Sequence, residues 1–357
     1  MGQGSLVTTL GGISVRILIT GGCGFIGSHT IKEALVRDDI ERIVNLDSLT
    51  YSGNPENLSD TEDERYHFIH GSINDADILT SVLIEERIQV ILHLAAESHV
   101  DRSIDSVQPF IETNIDGTRT ILEAIRNCMK EGNMIHLVHV STDEVYGSLG
   151  LNDLPFTEDT PLDPRNPYAA TKASSDMMVQ AFVNTYKISA VTTRCSNNYG
   201  PNQFPEKLIP LMTLNAMEGG PLPIYGDGMQ IRDWIHVQDH ARGILATMDG
   251  LLDGRLRSGE VVNFGADNEM PNIDIVRTII RLTGASESQI KYVTDRPGHD
   301  RRYAMGFEKA NRILGWKPEI NWENGMKDTV EWYSSNPEWV ESVRSGSYRE
   351  WVENHYG

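Results

Sequence analysis

The chain has 357 residues, 39% of them apolar, which suits one large α/β domain or one domain with a smaller lobe. It carries 51 acidic residues against 31 basic ones, a net charge of −20. Such a surface repels nucleic acid and anionic membranes, and an anionic ligand then needs a locally basic pocket. No run of about 20 apolar residues is present to span a bilayer. Cys23, Cys128 and Cys195 are too few and too scattered for a disulfide framework or a zinc site, which points to a reducing cytoplasm.

In chain order, residues 1–14 have neither a positive segment nor a long apolar one, so they read as a disordered extension rather than a signal peptide. Apolar runs at 16–20, 42–47, 66–70, 89–94, 134–141, 190–195 and 260–264 read as buried strands. Helical patterns separate most of them, for example 75–87 and 118–130. Buried strands with helical crossovers imply an α/β fold with a doubly wound parallel sheet. After about residue 200 the rhythm loosens, with prolines at 201, 205, 210, 221 and 223, and a smaller lobe begins over the carboxyl edge of the sheet.

The first strand runs into Gly21-Gly22-Cys23-Gly24-Phe25-Ile26-Gly27 and then a helix. Small residues at this spacing let the backbone approach a pyrophosphate seated on the helix N-terminus. Such a loop is also compatible with a plain tight turn, but Asp47 follows twenty residues after Gly27 at the end of the second strand. A carboxylate there accepts bonds from a ribose 2′-hydroxyl and repels a 2′-phosphate, which favours NAD over NADP. This makes 15–200, with contributions from about 232–265, the NAD-binding Rossmann domain, and 201–231 with 266–357 the substrate lobe.

Asn166-Pro167-Tyr168 opens a helix, with Asn166 as N-cap and Pro167 at its first position. Tyr168 and Lys172 lie four apart, on one face. The alternative is a surface pair. As a catalytic pair, the ammonium and an oxidised nicotinamide favour the phenolate, which takes a proton from a sugar hydroxyl as hydride leaves. Ser141-Thr142-Asp143-Glu144 ends a core strand. It matches a capping box, Ser141 with Glu144 three later, but Gly147, Gly150 and Pro155 interrupt any helix. In a loop at the carboxyl edge, an acid and a base beyond the tyrosine suit elimination. Oxidation of a hexose at C4 acidifies the C5 proton; Glu144 removes it, while Asp143, held protonated beside its neighbour, donates to the departing C6 hydroxyl. His93, His136 and His139 alternate with apolar residues and read as packing histidines rather than metal ligands.

These motifs resemble the extended short-chain dehydrogenase/reductase family and, within it, the dTDP-glucose 4,6-dehydratases. The resemblance rests on "ITGGCGFIGSH", "HLAAESHVDRSI", "VSTDEVYG", "PYAATKASSD", "NNYGPNQFPEKLIP" and "RPGHDRRYA" and runs from about Val15 to the C-terminus. It implies that Thr142, Asp143, Glu144, Tyr168 and Lys172 form the catalytic set. It assigns NAD contacts to Gly21, Gly24, Phe25, Ile26, Gly27, Asp47, Ser48, Leu49, Thr50, Ala95, Ala96, Thr113 and Asn198. Ser98, Asn197, Glu206, Lys207, Arg232, Asn263 and His299 would surround a nucleotide-diphosphate hexose, with Arg296 as a further cation for its diphosphate. Ser72-Ile73 stands where the family has Asp-Ile at the adenine, a weaker contact. Gly306 replaces an acidic residue and is expected to affect local packing only. The family implies a homodimer through the helix from Tyr168 and the one over 113–130. UDP-glucose or another NDP-hexose as substrate, an NAD-dependent nucleotide-sugar epimerase, and an NAD-binding regulator are the competing readings.

Overall fold

The computed structural model describes residues 14–295 and 298–346, so Arg296 and most of the expected N-terminal extension lie outside it. In the first strand, β1 (Val15–Thr20), Ile17 and Ile19 join the apolar cluster on one face and Leu18 the cluster on the other. All three are fully buried. A strand apolar on both faces must sit inside a sheet covered on both sides.

The remaining strands among the described residues are β2 (Ile40–Asp47), β3 (Tyr66–His70), β4 (Val90–His93), β5 (His136–Thr142), β6 (Ser189–Cys195), β7 (Asn197–Tyr199), β8 (Leu222–Tyr225), β9 (Ile231–His236), β10 (Val261–Phe264), β11 (Glu269–Pro271) and β12 (Ile290–Val293). Seven of them form one sheet in the order β10-β6-β5-β4-β1-β2-β3, and every pair is parallel. Each of these seven falls within two residues of an expected strand. Helices Ala76–Glu85, Thr118–Lys130 and Pro167–Tyr186 cover one face through Leu79, Ile121 and Val179. Helices Phe25–Leu35 and Val237–Leu252 cover the other through Ile31, Ile244 and Met248. The order reverses between β1 and β4, where doubly wound sheets open a ligand crevice.

Beyond β6 the chain builds two small sheets, β11-β9-β7 and β12-β8. They share a separate core of Tyr199, Ile209, Ile224, Trp234, Ile279 and Trp322. Helix Asn272–Thr283 belongs to it because Ile273, Val276 and Ile280 recur at helical spacing, and Gly284 ends it at φ +72°. Helices Trp322–Ser335 and Pro337–Ser345 close the described chain. From the latter, Trp339 Nε1 donates to Asn57 Oδ1 at 2.9 Å, and Asn57 Nδ2 donates to the Cys23 carbonyl in the glycine loop at 2.9 Å. No helix among the described residues is long and apolar enough to cross a membrane.

Candidate active site

At the end of β1, Gly21 turns the chain at φ +73°. A Cβ there would meet the Ala95 backbone at 2.7 Å, and one on Gly27 would meet the Gly21 carbonyl at 2.2 Å. Glycine is therefore required for this loop to lie flat against the end of β4. Helix Phe25–Leu35 starts at Gly24 with no side-chain cap, so its first N–H groups face the crevice. Asp47, at the end of β2, accepts from Cys23 N at 2.9 Å and from Leu49 N at 2.8 Å. Burial pushes its carboxyl up and those two bonds pull it back. Each oxygen keeps a lone pair for a ribose hydroxyl.

One cleft is lined by Gly21, Gly24, Phe25, Ile26, Gly27, Asp47, Ser48, Thr50, Ser72, Ile73, Ala95, Ala96, Thr113 and Asn198, and by all five expected catalytic residues. Leu49 is not on its wall; its side chain is buried in the sheet core. Thr113 sits in a π-helical stretch, Ile111–Gly117, at the entry to the helix expected over 113–130. Asn114 in the same stretch binds both Glu97 backbone groups and donates to Thr171 Oγ1 at 3.0 Å, tying the loop after β4 to the Tyr168 helix.

β5 ends at Thr142, and Asp143–Tyr146 makes a single 3₁₀ turn. Its cap is Thr142, whose Oγ1 accepts from Glu144 N at 3.3 Å, and not Ser141. An extended backbone at Thr142 gives its hydroxyl the N-cap position one residue later than the motif suggests. Asp143 is 3% exposed. Its burial and then the charge of Glu144 hold its carboxyl well above the usual range, against Arg232 and a hydrogen bond from Thr142. Tyr168 lies on the buried stripe of helix Pro167–Tyr186. Burial and then Glu144 push its phenol up, and Lys172 is not among the main influences, so the expected pull of the ammonium is outweighed. Lys172 Nζ donates to the Val140 carbonyl at 2.7 Å, and burial lowers the ammonium to about 8. One turn on, the Asp176 carboxylate opposes that drop and accepts from Arg194 Nε at 2.9 Å.

The histidines pack as expected. His93 meets Thr20 Oγ1 at 2.8 Å and Thr118 Oγ1 at 3.1 Å, His136 meets Ser189 Oγ at 2.8 Å, and His139 lies 3.3 Å from Asp176.

On the far side, Ser98, Asn197, Glu206 and Lys207 line the cleft. Lys207 Nζ donates to the Ser98 carbonyl at 2.9 Å, and Glu206 Oε1 accepts from Tyr51 at 3.0 Å. Asn197 Oδ1 is buried with no hydrogen-bond partner among the described residues. Arg232, Asn263 and His299 are not on this wall. Arg232 donates to the Asp300 carbonyl at 3.0 Å, with its guanidinium 4.2 Å above the Tyr303 ring. Asn263 Oδ1 accepts from Tyr146 at 2.9 Å, and His299 Nδ1 is 2.6 Å from Asp295. Sequence reasoning missed Glu97, Ser141, Gln203, Phe204 and Trp234 on the wall. The signal for the first two was their place beside residues already singled out.

The family model described as GDP-mannose 4,6 dehydratase matches residues 18–329. The chain is 48% identical over 363 residues to dTDP-glucose 4,6-dehydratase 1 of Escherichia coli strain K12, covering 96% of this chain and 99% of that protein. A crystal structure of dTDP-glucose 4,6-dehydratase from Streptomyces venezuelae, with NAD and TYD bound, superposes with a TM-score of 0.87 at 43% identity, covering 92% of this chain and 100% of that one. The Bacillus anthracis enzyme in complex with NAD gives a TM-score of 0.83 at 47% identity over 92% and 100% of the two chains.

Proposed function

This chain belongs to the dTDP-glucose 4,6-dehydratase family, and from that premise we propose that it converts dTDP-glucose to dTDP-4-keto-6-deoxyglucose. The observation that carries the reading is that Thr142, Asp143 and Glu144 share one cleft with Tyr168, Lys172 and the glycine loop. The Gly21 and Gly27 cradle, the uncapped helix start and Asp47 fit a dinucleotide. NAD, held tightly, supplies a hydride acceptor for C4 and returns that hydride to C6, so it ends each cycle as it began.

The protein's part is to move protons. Tyr168, kept neutral by burial, gives its proton to solvent once the positive charge of the oxidised cofactor and Lys172 favours the phenolate, and then takes the C4 hydroxyl proton while Thr142 bonds the C4 oxygen. Glu144 takes the C5 proton, made acidic by the neighbouring ketone. Asp143, held neutral, gives its proton to the C6 hydroxyl, which leaves as water. Glu144 returns its proton to C5, and the proton on Tyr168 passes back to Asp143 through solvent. The sugar has then lost one water with no net oxidation.

In the same reading Gly21, Gly24, Phe25, Ile26, Gly27, Asp47, Ser48, Thr50, Ser72, Ile73, Ala95, Ala96, Thr113 and Asn198 hold NAD, with Leu49 taking part from the core beneath rather than from the cleft wall. Ser98, Asn197, Glu206 and Lys207 hold the nucleotide-sugar in the cleft, with Arg232, Asn263, Arg296 and His299 as further contacts beyond its wall. Residues 15–200 with about 232–265 act as the NAD-binding domain, and 201–231 with 266–357 as the substrate lobe. The protein works as a homodimer through the helices at 113–130 and from Tyr168; the exposed apolar side chains of Ile104, Val107 and Met177 near these helices support it. It acts in the cytoplasm, in a deoxysugar route such as that to rhamnose; three buried, unpaired cysteines suit a reducing compartment.

The test is the mass of the product. Purified protein is mixed separately with dTDP-glucose, UDP-glucose and UDP-N-acetylglucosamine, without added reductant. Loss of one water from dTDP-glucose, with no NADH accumulating, is the expected result. Loss of water from another nucleotide-sugar alone overturns the dTDP assignment. An unchanged mass with altered sugar configuration makes the protein an epimerase.

A further inference from the structure

The side-chain amide of Asn166 is used at both ends. Its Oδ1 accepts from Ala169 N at 2.8 Å, capping the helix that carries Tyr168 and Lys172. Its Nδ2 donates to Glu144 Oε2 at 2.9 Å. Asn166 itself is buried, and Pro167 behind it has no N–H to compete. Among the described residues, no other hydrogen bond reaches the Glu144 carboxylate; the bond from Thr142 holds only its backbone N–H.

The cap does not explain the choice of residue. Serine, aspartate and asparagine cap helices about equally well. Serine is too short to bridge to a carboxylate across the turn, and ionised aspartate accepts only. Asparagine alone of the three offers an acceptor to the helix and a donor to Glu144 together.

We propose that Asn166 is a positioning residue that fixes the Glu144 carboxylate toward C5 of the hexose and sets it at a constant distance from Tyr168. The proposal rests on the reading of Glu144 as the C5 base. The charge of Glu144 acts on Asp143, Tyr168 and Tyr303, and Arg232 acts on Asp143 and Tyr303. A carboxylate that swings freely in this cluster turns toward the cation and away from the sugar. The Asn166 amide prevents that by binding one oxygen and leaving the other for the proton.

The test uses Asn166→Asp and Asn166→Ser in the full chain. Both keep the cap; the melting temperature of Asn166→Ser should stay near the wild-type value, whereas Asn166→Asp sets a second carboxylate beside Glu144 and should melt lower, so Asn166→Ser is the variant that separates positioning from folding. In single turnovers with dTDP-glucose, C4 oxidation, read as absorbance of the reduced nicotinamide, should keep its wild-type rate. Exchange of the C5 proton with deuterated solvent and loss of water should each fall about 10- to 100-fold, the scale of a small misplacement of a reacting group. KM should not move. Wild-type C5 exchange in both variants overturns the proposal. So does a fall in C4 oxidation that keeps step with elimination, because Asn166 would then act through the helix and Tyr168. A wild-type chain that neither oxidises C4 nor exchanges C5 removes the underlying function as well, and is recognised by failing before any variant is compared.

Discussion

The two halves of the cleft are built differently. The cofactor half, at the ends of β1, β2 and β4, is a backbone construction. Gly21, Gly27 and Ala95 touch main chain to main chain, and Asp47 spends both oxygens on N–H groups of the loops around it. The half that holds the expected catalytic residues, at the ends of β5 and β6, is a side-chain construction. Ser141 Oγ, Asp143 Oδ2 and Asn197 Oδ1 are buried there without partners among the described residues. Loops tied by their backbone give a rigid seat for a ligand. Buried polar atoms with spare capacity give a surface that bonds a ligand and releases it, at a standing cost in stability.

That contrast can be broken experimentally. The largest effect belongs to the catalytic half: Tyr168→Phe should lower product formation by about 10²- to 10⁴-fold, the usual contribution of a general acid–base group, with no change in melting temperature. The cofactor half should show the reverse. Gly27→Ala drives a Cβ into the Gly21 carbonyl and should destabilise by about 1–3 kcal/mol. Denaturant midpoints and the nicotinamide content of purified protein would both register it. Asn197→Ala sharpens the comparison, because its unpartnered oxygen contributes little to folding. A stability change within about 0.5 kcal/mol is expected, with KM for the nucleotide-sugar raised.

Asp143→Asn should stabilise the protein by about 0.5–2 kcal/mol while lowering activity. The folded state holds the Asp143 proton above pH 3.8, whereas the unfolded chain releases it there. Stability is therefore withheld as pH rises from about 4 toward the folded value, and the advantage of asparagine should grow with pH over that range. An effect seen only as a slope in pH concerns His240, which burial lowers to about 3 while it meets Asn198 Oδ1 at 2.9 Å. The unfolded imidazole takes a proton near pH 6.5 and the folded one does not. Stability is present above 6.5 and lost as pH falls through that value. His240→Gln should flatten the decline by one proton, or about 1.4 kcal/mol per pH unit at most, read from denaturant midpoints between about pH 7 and 5.

The main-sheet strands were legible because most of them, β1 above all, place apolar residues on both faces, a pattern that survives without tertiary context. β7, β8, β9, β11 and β12 were not. They are three to six residues long, and prolines stand before or within β8 and β11. In the site, Gly21, Gly27, Asp47, Tyr168 and Lys172 were readable because local spacing sets their chemistry. The bond from Asn166 to Glu144 spans 22 residues and depends on how a helix start meets a strand end. Thr142 displaced Ser141 as cap because the backbone, not the motif, decides which hydroxyl faces the turn. Burial decides the protonation of Tyr168, and burial is not written in a four-residue spacing.

The bond from Trp339 to Asn57 gives this protein an order of events. The glycine loop is made well before helix Pro337–Ser345. Asn57, which holds that loop by its Cys23 carbonyl, receives the Trp339 indole only after 282 more residues have been made. During synthesis the nucleotide pocket thus has its walls before it has its brace. Chains ended before Pro337 are expected to fold their central sheet and yet lose NAD on gel filtration. Helix Pro337–Ser345 would then act as the latch that holds the cofactor in its pocket.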